Sequence, residues 1–319
     1  MIERIPLNDV SRDEWLRMRR NFVSASEAAT VCGEASYGSL AELYCEKRGL
    51  RPPQADSGVL RRGRWGELAA FAALADEYPD WSVQRASWHV RDTERRIAAT
   101  PDGFAVRPDR DGPGNVQAKV VSRSIFRRRW LDDSDGDLDG EASPPAQYVI
   151  QTTAERMLCE CEWSVIACLI NSEWDWSFRL FEVEHDPALE ERIAAKAQEF
   201  FDLYLDPGIM PPFEPQRDAE LIRHLYPRDD GSTIDLTGDN RAAVAAEELI
   251  ETSAAVKRLT ATEKALKTEL AGKLGEHTYG RLAGGRCISS KMRHRKSYVA
   301  KASDFRVLRI IEKEADNDE

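Results

Sequence analysis

Three polar residues, Asp102, Gln117 and Lys119, have side chains and a spacing that suit metal-dependent hydrolysis of a phosphodiester. Asp102 lies in the segment TPDGF, and Gln117 and Lys119 flank Ala118 in the segment NVQAKVV. Alternate residues of a β-strand point to the same face, so Gln117 and Lys119 would point together. Mg²⁺ takes oxygen ligands, and the reaction also needs a group that positions or activates water. If the two segments pair, Asp102, Gln117 and the Ala118 carbonyl could hold the metal, and Lys119 could orient the water.

Each of these segments also has an ordinary structural interpretation. Pro-Asp-Gly is a common turn, and Gln-x-Lys on a strand usually forms only a solvated face. The chemical interpretation therefore depends on what the rest of the chain places around the two segments.

The distribution of charge restricts where a polyanion could bind. The chain has 319 residues and a formal net charge of −11, which disfavours nucleic-acid binding by the surface as a whole. Basic residues are concentrated in two stretches that we predict to contact DNA phosphates, with a solvated basic face as the alternative for the second. They comprise Arg123, Arg127, Arg128 and Arg129 in the first stretch, and Arg286, Lys291, Arg293 and Arg295 in the second.

The cysteine pattern and the length of the apolar runs predict the cellular compartment of the protein. The six cysteines form no C-x-x-C pair and have no zinc-site spacing. The N-terminal segment has no apolar signal core, and no apolar run approaches transmembrane length. We therefore expect a soluble intracellular protein whose cysteines are reduced.

The order of the predicted elements indicates an α/β (α+β) fold. Capping boxes at Ser11 and Ser39 open two helices, and Ser24 or Ser26 caps a helix between them that stops at Gly33. A helix over GELAAFAALADEY precedes three predicted strands, which are WSVQRASWHV, RIAATPDGFAV and NVQAKVV. A helix over PPAQYVIQTTAERML, two strands and a long amphipathic helix follow. Helices around a meander of strands predict a mixed central sheet flanked by helices.

A proline-rich connection ending at Pro215 predicts two domains, 1–215 and 216–319. The second would contain a long helix over residues 241–275, a basic β-hairpin turning at Gly284-Gly285, and a terminal helix. Apolar residues of the long helix recur at spacings that suit a helical hairpin or a coiled-coil seam.

Five motifs in order resemble the lambda-exonuclease-like (YqaJ-type) viral recombinases of the PD-(D/E)xK nuclease superfamily. They are WLRMRRNFVSASEAA, GRWGELAAF, ATPDGF, QAK and YVIQTTAERML, and the resemblance runs from about residue 14 to about residue 205. It implies a restriction-endonuclease-like core. It also implies that Arg19 and Ser26 hold a phosphate of the DNA end, that Glu67 is a metal ligand with Asp102 and Gln117, and that Tyr148 and Gln151 join the catalytic residues. Each has a plainer alternative: Glu67 as a surface acid, Ser26 as a cap, Arg19 as a helix-end cation, and Tyr148 and Gln151 as a packing face.

The resemblance implies a metal-dependent deoxyribonuclease. Its expected activity is 5′-to-3′ exonuclease digestion of duplex DNA ends with two Mg²⁺ ions, which Mn²⁺ could replace. The implied assembly is a homotrimer acting with a single-strand-annealing protein, of phage or prophage origin in the bacterial cytoplasm. Gln117 departs from the family pattern, which has Glu there, so we expect weaker metal binding because an amide oxygen carries no charge. An endonuclease of the same superfamily and a non-cleaving DNA-end binder or scaffold are the alternatives.

Overall fold

The chain divides into two compact units, Met1–Leu225 and Tyr226–Glu319. A computed structural model describes residues 1–51, 57–132, 138–294, 302 and 305–310, with the backbone alone at residues 59 and 60. No helix within these ranges is long and apolar enough to cross a membrane.

The first unit contains helices and strands that alternate along the chain. Its elements are β1 (Ile2–Pro6), α1 (Arg12–Arg19), β2 (Val23–Ser24), α2 (Ala25–Val31), α3 (Leu40–Arg48), α4 (Gly58–Glu77), β3 (Ser82–Arg85), β4 (Trp88–Asp92), β5 (Ile97–Ala99), β6 (Gly103–Val106), β7 (Gly114–Ser122), α5 (Arg123–Arg129), α6 (Ala146–Cys159), β8 (Trp163–Asn171), β9 (Trp176–Val183), α7 (Pro187–Phe200), a π-helical turn (Phe201–Leu205) and α8 (Ala219–Leu225).

The central sheet has the strand order β3-β6-β7-β8-β9. Only β7 and β8 are parallel within it, and the other neighbours are antiparallel. Alternate residues of β8 enter different apolar clusters, since Val165 and Ala167 pack with Phe71 of α4, whereas Ile166 packs with Phe126 of α5. Both faces of the sheet are therefore covered, which explains the continuous apolar run of β8. The predicted α/β class, a mixed sheet flanked by helices, is confirmed.

A smaller sheet with the order β1-β4-β5-β2 lies in the same unit. Two segments that we predicted as single strands each divide between the two sheets, so those predictions are wrong. WSVQRASWHV becomes β3 and β4, and RIAATPDGFAV becomes β5 and β6. Pro101, which has no N–H for a strand ladder, lies in the second break, and Ala86 N donates to Asp102 O across both breaks at 3.0 Å. Asp102 therefore lies where the chain passes from one sheet to the other.

The residues directly after Pro215 pack on the first unit. Leu221 of α8 is buried in its core, and Ser39 Oγ donates to Asp218 Oδ1 at 2.6 Å. The compact units thus divide after Leu225, whereas the predicted boundary assigns residues 216–225 to the accessory domain.

The second unit contains the long helix and the hairpin. Helix α9 (Asn240–Leu274) is exposed along most of its length, and β10 (Tyr279–Arg281) pairs with β11 (Cys287–Ser289). Gly284 and Gly285 have φ angles of 76° and 79°, which residues with a side chain rarely adopt. The conformation of the turn therefore explains why glycine occupies both predicted turn positions. Residues 305–310 have no regular structure, and most of the predicted terminal helix lies outside the described residues.

Gly66 lets α4 approach β7 closely, and this contact generates the first prediction. A Cβ built on Gly66 would lie 2.7 Å from Cγ2 of Val120 and 3.1 Å from its Cβ, whereas a Cβ on Gly63 meets nothing within 4 Å. We expect Gly66→Ala to lower the free energy of unfolding by about 1–3 kcal/mol through overpacking. The matched Gly63→Ala should raise it by up to about 1 kcal/mol through helix propensity. Urea denaturation checks both, and equal effects of the two variants would contradict the proposed contact.

Candidate active site

The turn between the two sheets brings Asp102 beside β7. Gly103 of β6 pairs with Val116 of β7, which places the preceding Asp102 next to Gln117 and Ala118. Ala118 N donates to Asp102 Oδ2 at 2.9 Å, and Gln117 Nε2 donates to the same oxygen. The structure thus brings Asp102, Gln117 and the Ala118 backbone together.

Helix α6 continues this contact into a chain of hydrogen bonds. Gln151 Nε2 donates to Gln117 Oε1 at 2.8 Å, and Lys119 Nζ donates to Gln151 Oε1 at 3.0 Å. The Lys119 ammonium also lies 4.8 Å from the centre of the Tyr148 ring, a cation–π contact. Gln151 and Tyr148 therefore fix the position of the Lys119 ammonium, and all three belong to the predicted set of site residues.

Gln117 presents its nitrogen rather than its oxygen to Asp102. Its side chain is buried, with 2% of its surface exposed. Because the Asp102 carboxylate offers only acceptors, an amide oxygen facing it would be repelled unless a cation lay between them. Gln117 could therefore act as a metal ligand only if its amide rotated by half a turn.

Glu67 lies close enough to influence Asp102 but pairs with a different residue. Arg85 Nη2 donates to Glu67 Oε1 at 2.9 Å. Burial raises the pKa of the Asp102 carboxyl to about 6; the charge of Lys119 opposes this rise and the charge of Glu67 adds to it. Arg85, which the sequence analysis did not single out, therefore offsets part of the negative charge.

Glu155 is a buried carboxyl near Asp102 that the sequence analysis missed. It is 1% exposed and accepts from Gln151 Nε2 at 2.9 Å and from Asn115 Nδ2 at 3.3 Å. Burial and the nearby charge of Asp102 raise the pKa of Glu155 to about 8. Residues four apart on a helix are neighbours, so its spacing from Gln151 was the available signal.

A small cavity beside Arg19 adjoins this hydrogen-bonded chain, and we call it the Arg19 cavity. Its volume is about 80 Å³, and it is lined by Trp15, Arg19, Ser24, Ala25, Ser26, His89, Thr100, Gln151 and Glu155. Arg19 Nη2 donates to Ser24 Oγ at 2.6 Å, to Ser26 Oγ at 3.2 Å and to Glu27 Oε1 at 3.2 Å. Ser26 is exposed and Ser24 is buried. The predicted pair Arg19 and Ser26 is thus brought together, with Ser24 as an additional hydroxyl.

The arginines predicted to contact DNA lie on α5, directly after β7. Arg123 and Arg128 are exposed, while Arg127 and Arg129 are half-buried. Arg129 stacks on Tyr37 with its guanidinium 4.9 Å from the ring centre.

The second basic stretch lies in the other unit. Arg286, Lys291 and Arg293 are exposed there, and Lys291 lies 5.1 Å from the centre of the Tyr279 ring. Arg295 lies outside the described residues.

The donor set near Asp102 fits a magnesium ion. Within the described ranges, no three His, Cys, Asp or Glu side chains cluster closely enough to hold a metal. Mg²⁺, however, is usually bound through only one or two carboxylates, completed by water and substrate phosphates. Asp102 and Glu67 meet that requirement, with the Ala118 carbonyl and a rotated Gln117 amide as neutral oxygens. Burial, with a smaller contribution from the charge of Glu67, raises the pKa of Asp102, and a bound cation would favour its ionised form.

Comparisons with known proteins match the part of the chain that contains the five sequence motifs. Residues 14–161 match the family described as the YqaJ-like viral recombinase domain. The "Uncharacterized protein YqaJ" of Bacillus subtilis (strain 168) is 21% identical over 282 residues, covering 86% of this chain and 81% of that protein. The resemblance predicted from the five motifs is confirmed by the family match.

Solved structures with some similarity include two exonucleases. The alkaline exonuclease LHK-Exo from Laribacter hongkongensis is 19% identical, with a TM-score of 0.42 over 60% of this chain and 91% of that chain. A phage related exonuclease from Haemophilus somnus 129PT is 15% identical, with a TM-score of 0.42 over 58% of this chain and 96% of that chain.

The raised pKa of Glu155 generates a prediction for the metal-free protein. A carboxyl whose folded pKa lies above its unfolded value contributes stability at low pH that is lost as the pH rises towards the folded pKa. Glu155→Gln does not ionise, so the variant should gain stability relative to the unsubstituted protein between pH 5 and pH 8, by at least about 1 kcal/mol. Urea unfolding with EDTA at both pH values measures this gain. Glu191→Gln, at an exposed position, should show no such dependence, and a pH-independent difference for Glu155→Gln would contradict the assignment.

Proposed function

We propose that this chain, whose residues 14–161 match the YqaJ-like viral recombinase domain, is a DNA exonuclease that degrades duplex ends with Mg²⁺ as its cofactor. The observation that carries the proposal is the hydrogen-bonded chain from Asp102 through Gln117 and Gln151 to Lys119, next to the Arg19 cavity. Gln151 lines that cavity and also holds Lys119, so it links a place for a DNA-end phosphate with a place for hydrolysis.

Lys119 is the residue to which we assign the handling of water. Its ammonium is held by Gln151 Oε1 and the Tyr148 ring, which leaves its remaining protons to orient the attacking water and to offset charge on the scissile phosphate. Asp102 and Glu67 would hold Mg²⁺, together with the Ala118 carbonyl and the Gln117 amide oxygen. When bound, the ion polarises the phosphoryl group and lowers the pKa of the attacking water.

The remaining features are proposed from the resemblance and from the charge distribution. They are a two-metal reaction, 5′-to-3′ polarity, a homotrimer, a single-strand-annealing partner, and action in the cytoplasm of a bacterial host. The arginines of α5 follow β7 directly and are the side chains that we expect to contact DNA phosphates near the reaction site.

A non-cleaving DNA-end binder is the second candidate, and one observation favours it. Gln117 Nε2 donates to Asp102 Oδ2, so an amide proton occupies a position that a cation would need. In this function the protein would bind DNA ends and recruit partners through α9, without degrading them at any Mg²⁺ or Mn²⁺ concentration.

Two substitutions test the reaction site on 5′-phosphorylated linear duplex DNA. Lys119→Ala should lower the degradation rate at least about 100-fold, because it removes the group that positions water. Gln117→Glu should raise the rate and lower the Mg²⁺ concentration needed for half-maximal rate, because it adds an anionic ligand. Lys196→Ala, at a half-exposed position of α7 where the ammonium pairs with Glu199, is the matched control and should leave the rate unchanged. An undiminished rate in Lys119→Ala would refute the site, and an inactive protein that gains activity with Gln117→Glu would favour the end binder.

Covalently closed circular duplex separates the exonuclease from the endonuclease. We expect degradation of linear duplex and complete survival of the closed circle in the same reaction, because the circle offers no terminal phosphate for the Arg19 cavity. Gel electrophoresis of a mixture of the two DNAs measures this directly. Nicking or linearisation of the circle would replace the exonuclease proposal with the endonuclease.

A further inference from the structure

Glu155 lies in the fifth motif, YVIQTTAERML, but only Tyr148 and Gln151 of that motif have an assigned role. The Glu155 side chain is 1% exposed, and burial, with the charge of Asp102, raises its pKa to about 8. An apolar side chain of the same size would be buried at this position without that unfavourable desolvation. The hydrogen bonds of Glu155, rather than its packing, therefore indicate what it does.

Both protons and the oxygen of the Gln151 side-chain amide are engaged. Nε2 donates one proton to Gln117 Oε1 at 2.8 Å and the other to Glu155 Oε1 at 2.9 Å. The amide oxygen accepts from Lys119 Nζ at 3.0 Å. Because an ammonium can only donate, this last contact exists only while the oxygen end of the amide faces Lys119. Two acceptors, one on Gln117 and one on Glu155, hold the amide in that orientation.

The two acceptors differ in what happens to them when Gln117 turns. Gln117 can present its oxygen to a cation at Asp102 only after its amide rotates by half a turn, and its Nε2 then faces Gln151. Two N–H groups that face each other cannot bond, so Gln151 loses this acceptor. If the Gln151 amide turned as well, its nitrogen would be directed at the Lys119 ammonium. Glu155 does not bond to Gln117, so its carboxyl still accepts the other proton of Gln151.

Asn115 of β7 allows the Glu155 carboxyl to accept from Gln151 in either protonation state. Asn115 is 0% exposed, and its Nδ2 donates to Glu155 Oε2 at 3.3 Å. When the carboxyl is protonated on Oε2, a turned Asn115 amide can accept that proton through Oδ1, which has no hydrogen-bond partner among the residues that the structure describes. Oε1 remains an acceptor for Gln151 in both states.

A glutamate at position 117 would make this second acceptor unnecessary. Both oxygens of a carboxylate accept hydrogen bonds, so one can face a cation while the other accepts from Gln151. An amide cannot do both, because only one of its two ends accepts. The need for Glu155 thus follows from Gln117, the residue that departs from the family pattern.

We propose that Glu155 is a positioning residue: it holds the Gln151 amide with its oxygen on Lys119, and it keeps the amide there when Gln117 turns towards a cation. The hold on Gln151 rests on the hydrogen bonds of the metal-free chain. The role during the turn of Gln117 rests on the proposed function.

Nitrogen NMR of the protein in EDTA tests the hold on Gln151 without metal or DNA. Glu155→Met keeps the length of the side chain and removes the acceptor, so exchange of the Lys119 ammonium protons with water should become about tenfold faster, the equivalent of one lost hydrogen bond. Glu155→Gln retains an acceptor oxygen and should stay within about threefold of the unsubstituted protein. Glu191→Met, at an exposed position of α7, is the matched control and should change nothing.

Degradation of 5′-phosphorylated linear duplex with Mg²⁺ tests the dependence on Gln117. Glu155→Met should lower kcat at least about tenfold with little change in KM, and Glu155→Gln should retain most of the kcat. In the Gln117→Glu background, Glu155→Met should lower kcat by less than about threefold. Such a difference between the two backgrounds measures the coupling of two side chains that are bonded to each other only through Gln151.

Three results would overturn the proposal. They are an unchanged Lys119 exchange rate in Glu155→Met, an equal increase in Glu155→Met and Glu155→Gln, which would indicate loss of the charge rather than of the acceptor, and an equal loss of kcat in both Gln117 backgrounds. If Glu155→Met does not fold, the scalar coupling across the hydrogen bond from Gln151 Nε2 to the Glu155 carboxyl carbon decides, and its absence overturns the hold. A protein that degrades no DNA refutes the proposed exonuclease and the role during the turn of Gln117, while the exchange rates still decide the hold on Gln151.

Discussion

The need to satisfy the half-buried Asp102 carboxyl organises the polar interior of the first unit. This carboxyl accepts one hydrogen bond from the Ala118 amide and one from the Gln117 side chain. The bond to Asp102 fixes which end of the Gln117 amide faces Gln151, and Gln151 must then donate to Gln117 and accept from Lys119. Each amide thus sets the orientation of the next, and the position of the Lys119 ammonium depends on a contact two side chains away.

Where the backbone crosses from one sheet to the other, two chemically different environments lie only a few residues apart in the chain. Thr100 lies before the break and lines the Arg19 cavity, while Asp102 lies after it and faces β7. Because Pro101 interrupts the ladder between them, Thr100 follows β5 of the smaller sheet and Asp102 precedes β6 of the central sheet. Gln151 and Glu155 lie one turn apart on α6 and are hydrogen-bonded to each other. Both line the Arg19 cavity, and Gln151 also bonds to Gln117 beside Asp102. A phosphate held at the first position and a bond broken at the second would be related by a fixed geometry.

Local signals in the sequence predict the helix starts well. Ser11 and Ser39 cap α1 and α3 as expected, with Ser11 Oγ accepting from Glu14 N and Ser39 Oγ from Glu42 N. Gly33, predicted to end the second helix, has a φ of 76°, the left-handed conformation that follows a helix end. The strand breaks, by contrast, depend on which of the two sheets each half of a predicted strand joins. The alternation of polar and apolar residues along the chain does not contain that information. Pro101 was the one local hint. Glu155 was also missed, because its burial and its hydrogen bond to Asn115 depend on neighbours distant in the chain, although its spacing from Gln151 was a local signal.

The charge balance around Asp102 determines how Gln117 changes the reaction site. A glutamate at this position would add a third acid beside Asp102 and Glu67, and in the metal-free state it could donate nothing to Asp102. Gln117 avoids that repulsion and hydrogen-bonds Asp102, so at the proposed metal site it would lower the affinity for a cation. The hydrogen bond that a cation must displace is worth only about 1–3 kcal/mol, since it involves one charged partner. Two carboxylates would remain to attract the ion, and the charge of Glu67, which adds to the effect of burial in raising the pKa of Asp102, would still favour cation binding. At the proposed metal site, Gln117 would therefore raise the Mg²⁺ concentration required without removing the two carboxylate ligands.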